Sequence, residues 1–160
     1  MSDDGLGIYL QDHLAGAAGA VELLEALQKR HAGEPVAALA AEILAEVEED
    51  RGILRDLAER VGGGSHPVKE AAAWLAEKAT RVKVGRGTAG ELGAFEALEA
   101  LALGIWGKRS LWRALAVLSA SDFRVQGLDL DRLITRAESQ HARVEDFRLR
   151  TAPNALRVRV

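Results

Sequence analysis

Cysteine is absent from the chain. That excludes a disulfide, a thiol nucleophile and any Cys-ligated zinc or iron–sulfur centre, and it fits the reducing cytoplasm. Proline occurs only 3 times in 160 residues and aromatic residues make up 4%, so little breaks a helix and little favours a strand. Charge of one sign is not in excess: the formal net charge is −3, which speaks against general nucleic-acid binding. No apolar run approaches the ~20 residues that span a bilayer. Met1-Ser2-Asp3-Asp4 lacks the basic start and apolar core of a signal peptide. A cytoplasmic protein without a membrane segment is therefore expected. Gly62-Gly63-Gly64 follows no strand and reads as a helix stop, not as a phosphate cradle. No Ser-His-Asp order is recognisable, and neither catalytic residues nor a substrate pocket can be named.

Ala, Leu, Glu and Arg are abundant, with 48% hydrophobic and 28% charged residues, an ordinary globular mixture. The reading is an all-α fold, a single domain over about 1–152 with a tail at 153–160. Such a length buries about two-thirds of the unfolded surface. Apolar positions three and four apart place long helices at about 4–31, 35–61, 88–118 and 129–150, and a shorter one at about 67–80. Asp3 or Asp4 can cap the first. Pro35 suits the first turn of the second. Thr88 and Glu91 have capping-box spacing, and Asp129 can cap the last. The 81–87 stretch reads as loop. The 88–118 segment is apolar nearly all round and is expected to be the most buried. Trp74, Trp106 and Trp112 read as packing residues.

Connection lengths imply topology. The first two long segments are joined by about three residues and should be antiparallel neighbours. The roughly 27 residues between the second and third are long enough to travel the ~40 Å of a helix that size. The second and third long segments would then be parallel, with the short helix carried on the crossover.

Four segments in this order, with Tyr9-Leu10-Gln11-Asp12-His13-Leu14, Glu46-Val47-Glu48-Glu49-Asp50-Arg51, Glu96-Ala97-Leu98-Glu99 and Glu138-Ser139-Gln140-His141, resemble the ferritin-like superfamily of four-helix bundles, especially small bacterial members. That resemblance implies antiparallel pairs joined by a long crossover and a carboxylate–histidine metal centre. In such centres two helices each give a Glu and two each give a Glu-x-x-His pair. Glu138 and His141 match the last pair by spacing. The second segment has no His, so an atypical ligand set is implied: His13, Glu46, Asp50, Glu99, Glu138 and His141. Imidazole and carboxylate suit iron, manganese or zinc, and the resemblance implies iron or manganese oxidoreductase chemistry.

The same groups have a second reading. A His–Asp–Glu–His hydrogen-bonded network would satisfy buried carboxylates without metal. The alternative function is accordingly a metal-free structural or protein-interaction bundle, self-associating as a homodimer. Glu22 and Glu48 read as exposed helix charges. Arg81, Lys83, Arg86, Lys108, Arg109, Arg113, Arg148, Arg150, Arg157 and Arg159 form a basic set that could meet an anion if the crossover and the third long segment come together.

Overall fold

The computed structural model of the chain describes residues 4–62, 69–84 and 88–158. Among them are α1 (Gly5–Arg30), α2 (Pro35–Val61), α3 (Lys69–Val84), α4 (Thr88–Leu118), a 3-10 turn (Phe123–Val125) and α5 (Leu130–Leu156), with no strand. The local chemistry accounts for most boundaries. Pro35 lies in the first turn of α2, where its missing N–H costs no helical bond. Gly62 ends α2 with φ 69°, a left-handed geometry that glycine adopts without a Cβ clash. The Asp129 carboxylate caps α5 by accepting from the Arg132 N–H at 3.1 Å. Asp4 precedes α1 but makes no cap bond; its carboxylate accepts from Arg124 Nη1 at 3.1 Å instead.

Two elements run further than their local sequence suggests. α3 continues through residues 81–84, expected as loop, because Ala79 and Val82 are buried and Arg81 ties the turn to Glu77 at 2.5 Å and to Glu96 of α4 at 2.9 Å. α5 passes through Pro153 to Leu156, where a tail was expected. Proline removes one helical hydrogen bond, but Ala155 is buried beyond it and keeps the last turn packed. Gly63 and Gly64, the first residues of the short helix expected at about 67–80, residues 85–87, Asp3, Arg159 and Val160 lie outside the described residues, as does the Trp74 side chain.

α1 packs along α2 and α3, α4 packs along α5, and α1 and α3 also touch α4. Ion pairs give the directions. Across α4 and α5, Arg109 meets Glu138 at 2.7 Å and Glu99 meets Arg148 at 3.3 Å, so the two helices are antiparallel. Across α2 and α5, Glu49 meets Arg136 at 2.6 Å and Glu46 meets Arg143 at 2.7 Å, again antiparallel. α2 and α4 therefore run the same way. Leu10, Leu24 and Leu27 of α1, Ile43 and Leu57 of α2, Leu98, Leu111 and Trp112 of α4, and Leu133 and Val144 of α5 share one core, each large side chain contributing roughly 1.5–3 kcal/mol by leaving water. α4 is not buried all round: Leu103 is 59%, Trp106 44% and Val117 80% exposed. Its neighbours cover one side, so the continuous apolar run overstates its burial. No helix among the described residues is long and apolar enough to cross a membrane.

Candidate functional site

Helix periodicity places Asp50 between Val47 and Leu54 on the inner face of α2, and only 2% of it is exposed. A buried carboxylate needs compensating charge. Two cations supply it. Lys108 Nζ of α4 donates to Asp50 Oδ2 at 2.6 Å, and Arg136 of α5 donates to Oδ1 through Nε at 3.0 Å and through Nη2. Gln140, fully buried on α5, completes the arrangement. Its carbonyl accepts from Lys108 at 2.5 Å, while its amide N–H groups donate to Glu46 Oε2 at 2.9 Å and Asp50 Oδ2 at 3.4 Å. A glutamine can bridge a cation and two anions because one end only accepts and the other only donates. Arg143 then holds Glu46 at 2.7 Å. Burial alone would push the Glu46 carboxyl up, but hydrogen bonds from Arg143 and Gln140 outweigh it and hold it below the usual carboxylate range. Burial lowers the Lys108 ammonium from its ordinary value, against the pull of Asp50. Three helices are thus joined by one charge-compensated network.

Asp50 and Lys108 also face a cavity of about 400 Å³ between α1, α2 and α4, within the range of small-molecule sites, roughly 300–1,000 Å³. The space exists because small residues face each other across it: Gly16, Ala17 and Ala20 on α1, Gly104 and Gly107 on α4. A Cβ built on Gly16, Gly104 or Gly107 would meet nothing within 4 Å. The cavity opens to solvent beside the exposed Leu103 and Gly104. Leu54, Leu101, Ile105, Leu111 and Trp112 form apolar walls. The polar groups on the lining residues are those of Asp12, His13, Asp50, Arg51 and Lys108, and the Trp112 indole N–H, which is buried without a partner among the described residues. A second hollow of about 520 Å³, between α2 and α5, is lined by Glu46, Arg132, Arg136 and Arg143; it is open to solvent and mostly walled by charges already paired.

The six residues expected as metal ligands do not meet at one point. Glu46 and Asp50 come together, bridged by Gln140, and their oxygens are taken by Lys108, Arg136 and Arg143. His13 stands on the cavity wall with its ring edge-on to Tyr9, centroids 4.7 Å apart. Glu99 and Glu138 are exposed and paired with Arg148 and Arg109. Each lies about 100° round its helix from an inward residue, Leu98 and Ala137, so neither reaches the interior. His141 stacks against Trp106 at 4.7 Å. Among the described residues no group of three or more His, Asp and Glu side chains is arranged to hold a metal ion. The basic set is also dispersed: Lys83 pairs with Glu22 at 3.3 Å, Arg150 with Asp146 at 3.1 Å, and Lys108 is interior.

No family model, curated protein or solved structure matches the chain. The functional reading therefore rests on the chemistry of the cavity and its wall.

Sequence reasoning gave Arg136, Gln140 and Asp12 no role, and placed Lys108 in the basic set instead of beside Asp50. The signal for two of them was present. Leu101, Ile105, Lys108, Trp112 and Leu115 follow the three-and-four spacing of a buried stripe, as do Leu133, Ala137, Gln140 and Val144. A charged or amide residue inside such a stripe needs a buried partner.

His13 gives a pH prediction. Burial lowers its pKa from the ordinary 6.5, with the Asp12 carboxylate opposing weakly. The unfolded chain then takes up the proton first as pH falls, so the contribution of His13 to stability is complete above about 6.5 and is lost as pH drops below it. Urea unfolding of the wild type and His13→Gln at a series of pH values between about 7 and 5 should show a shallower decline in the variant. Parallel curves would contradict a buried neutral imidazole.

Proposed function

We propose that the protein is a small-molecule binding protein whose cavity between α1, α2 and α4 receives a mainly apolar ligand. The observation that carries this reading is a volume of about 400 Å³, kept open by glycine and alanine and walled by leucine, isoleucine and tryptophan, with charged groups on its wall. Apolar pockets with a few placed polar groups are the usual form of small-molecule sites. The helix directions support a ferritin-like four-helix arrangement as the scaffold, with α2 and α4 parallel and α3 on the crossover. In this reading Lys108, Arg136 and Arg143 supply the positive charge that metal ions supply in carboxylate centres, and the polar interior fixes helix register instead of doing redox chemistry.

A ligand that binds only the folded state raises the melting temperature by an amount that grows with the logarithm of its concentration over Kd. Decanol, a neutral apolar probe, should therefore raise the melting temperature progressively. An unchanged or lowered melting temperature over the same range would contradict the proposal.

A further inference from the structure

One carboxylate on the cavity wall has no cation paired to it among the described residues. Asp12, half-buried on that wall, makes no hydrogen bond or ion pair among the described residues; its Oδ1 is covered by protein, so Oδ2 is the oxygen a ligand would reach. The other wall charges are accounted for. Asp50 holds Lys108 and Arg136, and Arg51 lies 3.6 Å from Glu48. A carboxylate beside apolar walls gains from a cation, and the described residues supply none to Asp12. Resting on the cavity reading above, we infer that the occupant is an apolar organic cation, an amine whose ammonium pairs with Asp12 while its hydrocarbon lies against Leu54, Leu101 and Ile105.

The chemistry selects this class. An ionised carboxylate only accepts, and an ammonium only donates; the charge-assisted bond between them is roughly twice as strong as a neutral one. Lys108 would repel a cation, but Asp50, Glu46 and Glu49 together balance Lys108, Arg136 and Arg143. A carboxylate ligand would face Asp12 with like charge and find Lys108 engaged by Asp50 and Gln140. An alcohol offers Asp12 a single neutral donor.

Three probes of equal chain length separate these cases: decylamine, decanol and decanoate, titrated calorimetrically below their micellar concentrations at neutral pH. The amine should bind at least about tenfold more tightly than the alcohol, and the carboxylate most weakly. Asp12→Asn, which breaks no hydrogen bond or ion pair among the described residues, should bring the amine to the affinity of the alcohol. Asp56→Asn, at an exposed position on α2, should change nothing. Decanoate binding as tightly as decylamine, equal binding of amine and alcohol, or an amine preference that survives Asp12→Asn would each overturn the inference while leaving the cavity reading intact. No binding by any of the three would overturn the cavity reading itself. The order of the three probes on the wild-type protein tests the inference without any variant.

Discussion

Asp50→Ala should destabilise the protein by roughly 3–5 kcal/mol, the usual cost of removing one partner from a buried ionic group. The substitution removes the one carboxylate that hydrogen-bonds Lys108 among the described residues and leaves the ammonium bonded to Gln140. It also leaves Arg136 with Glu49 at the surface. The lost volume is small, so the penalty comes from charge, and replacing the pair together distinguishes the two. Asp50→Leu combined with Lys108→Met removes both charges and refills the space, and should recover most of the loss, since apolar replacements of buried ion pairs are often neutral or stabilising. Arg136 would still reach Glu49. Urea denaturation checks both variants. A cost for Asp50→Ala below about 1 kcal/mol, the level of an exposed pair, would show that the network contributes little to the fold.

Filling the cavity should separate stability from binding. Ala17→Leu with Gly107→Leu places hydrocarbon where the wall is now open; a Cβ at Gly107 meets nothing within 4 Å. Replacing glycine inside a helix removes a conformational cost of about 0.5–1 kcal/mol, and extra apolar contact across α1 and α4 adds to that. The doubly filled protein should be at least as stable as the wild type. Its affinity for decanol should fall by about a hundredfold or more, equivalent to about 2.7 kcal/mol, because the ligand would have to expel the new side chains. Gain of stability with loss of function is the expected signature of a volume kept open for a ligand. A filled variant that melts lower and binds as before would place the ligand elsewhere.

The helices could be read from the sequence because their signals are local. Pro35, Gly62, Thr88 and Asp129 mark the ends of α2, α4 and α5 within the chain itself, and three-and-four spacing marks their inner faces. The ends of α3 and α5 could not, because they depend on partners distant in sequence: Glu96 holding Arg81, and packing that buries Ala155 beyond Pro153. Asp50 stood out as an acid on an apolar stripe. What it meets did not, since that choice lies between residues on three helices. The cavity is the least legible feature. Within a single helix a glycine is only a loss of propensity; the missing side chains of Gly16, Gly104 and Gly107 become a shared space once α1 and α4 face each other.

Calorimetric titration with decanol, carried out in parallel on the wild type and on Ala17→Leu with Gly107→Leu, tests the cavity reading most directly. Saturable binding of one decanol per wild-type chain is expected, with the negative heat-capacity change of apolar burial, and no saturable binding in the filled variant. No saturable heat with the wild type, or equal binding by both proteins, would contradict it.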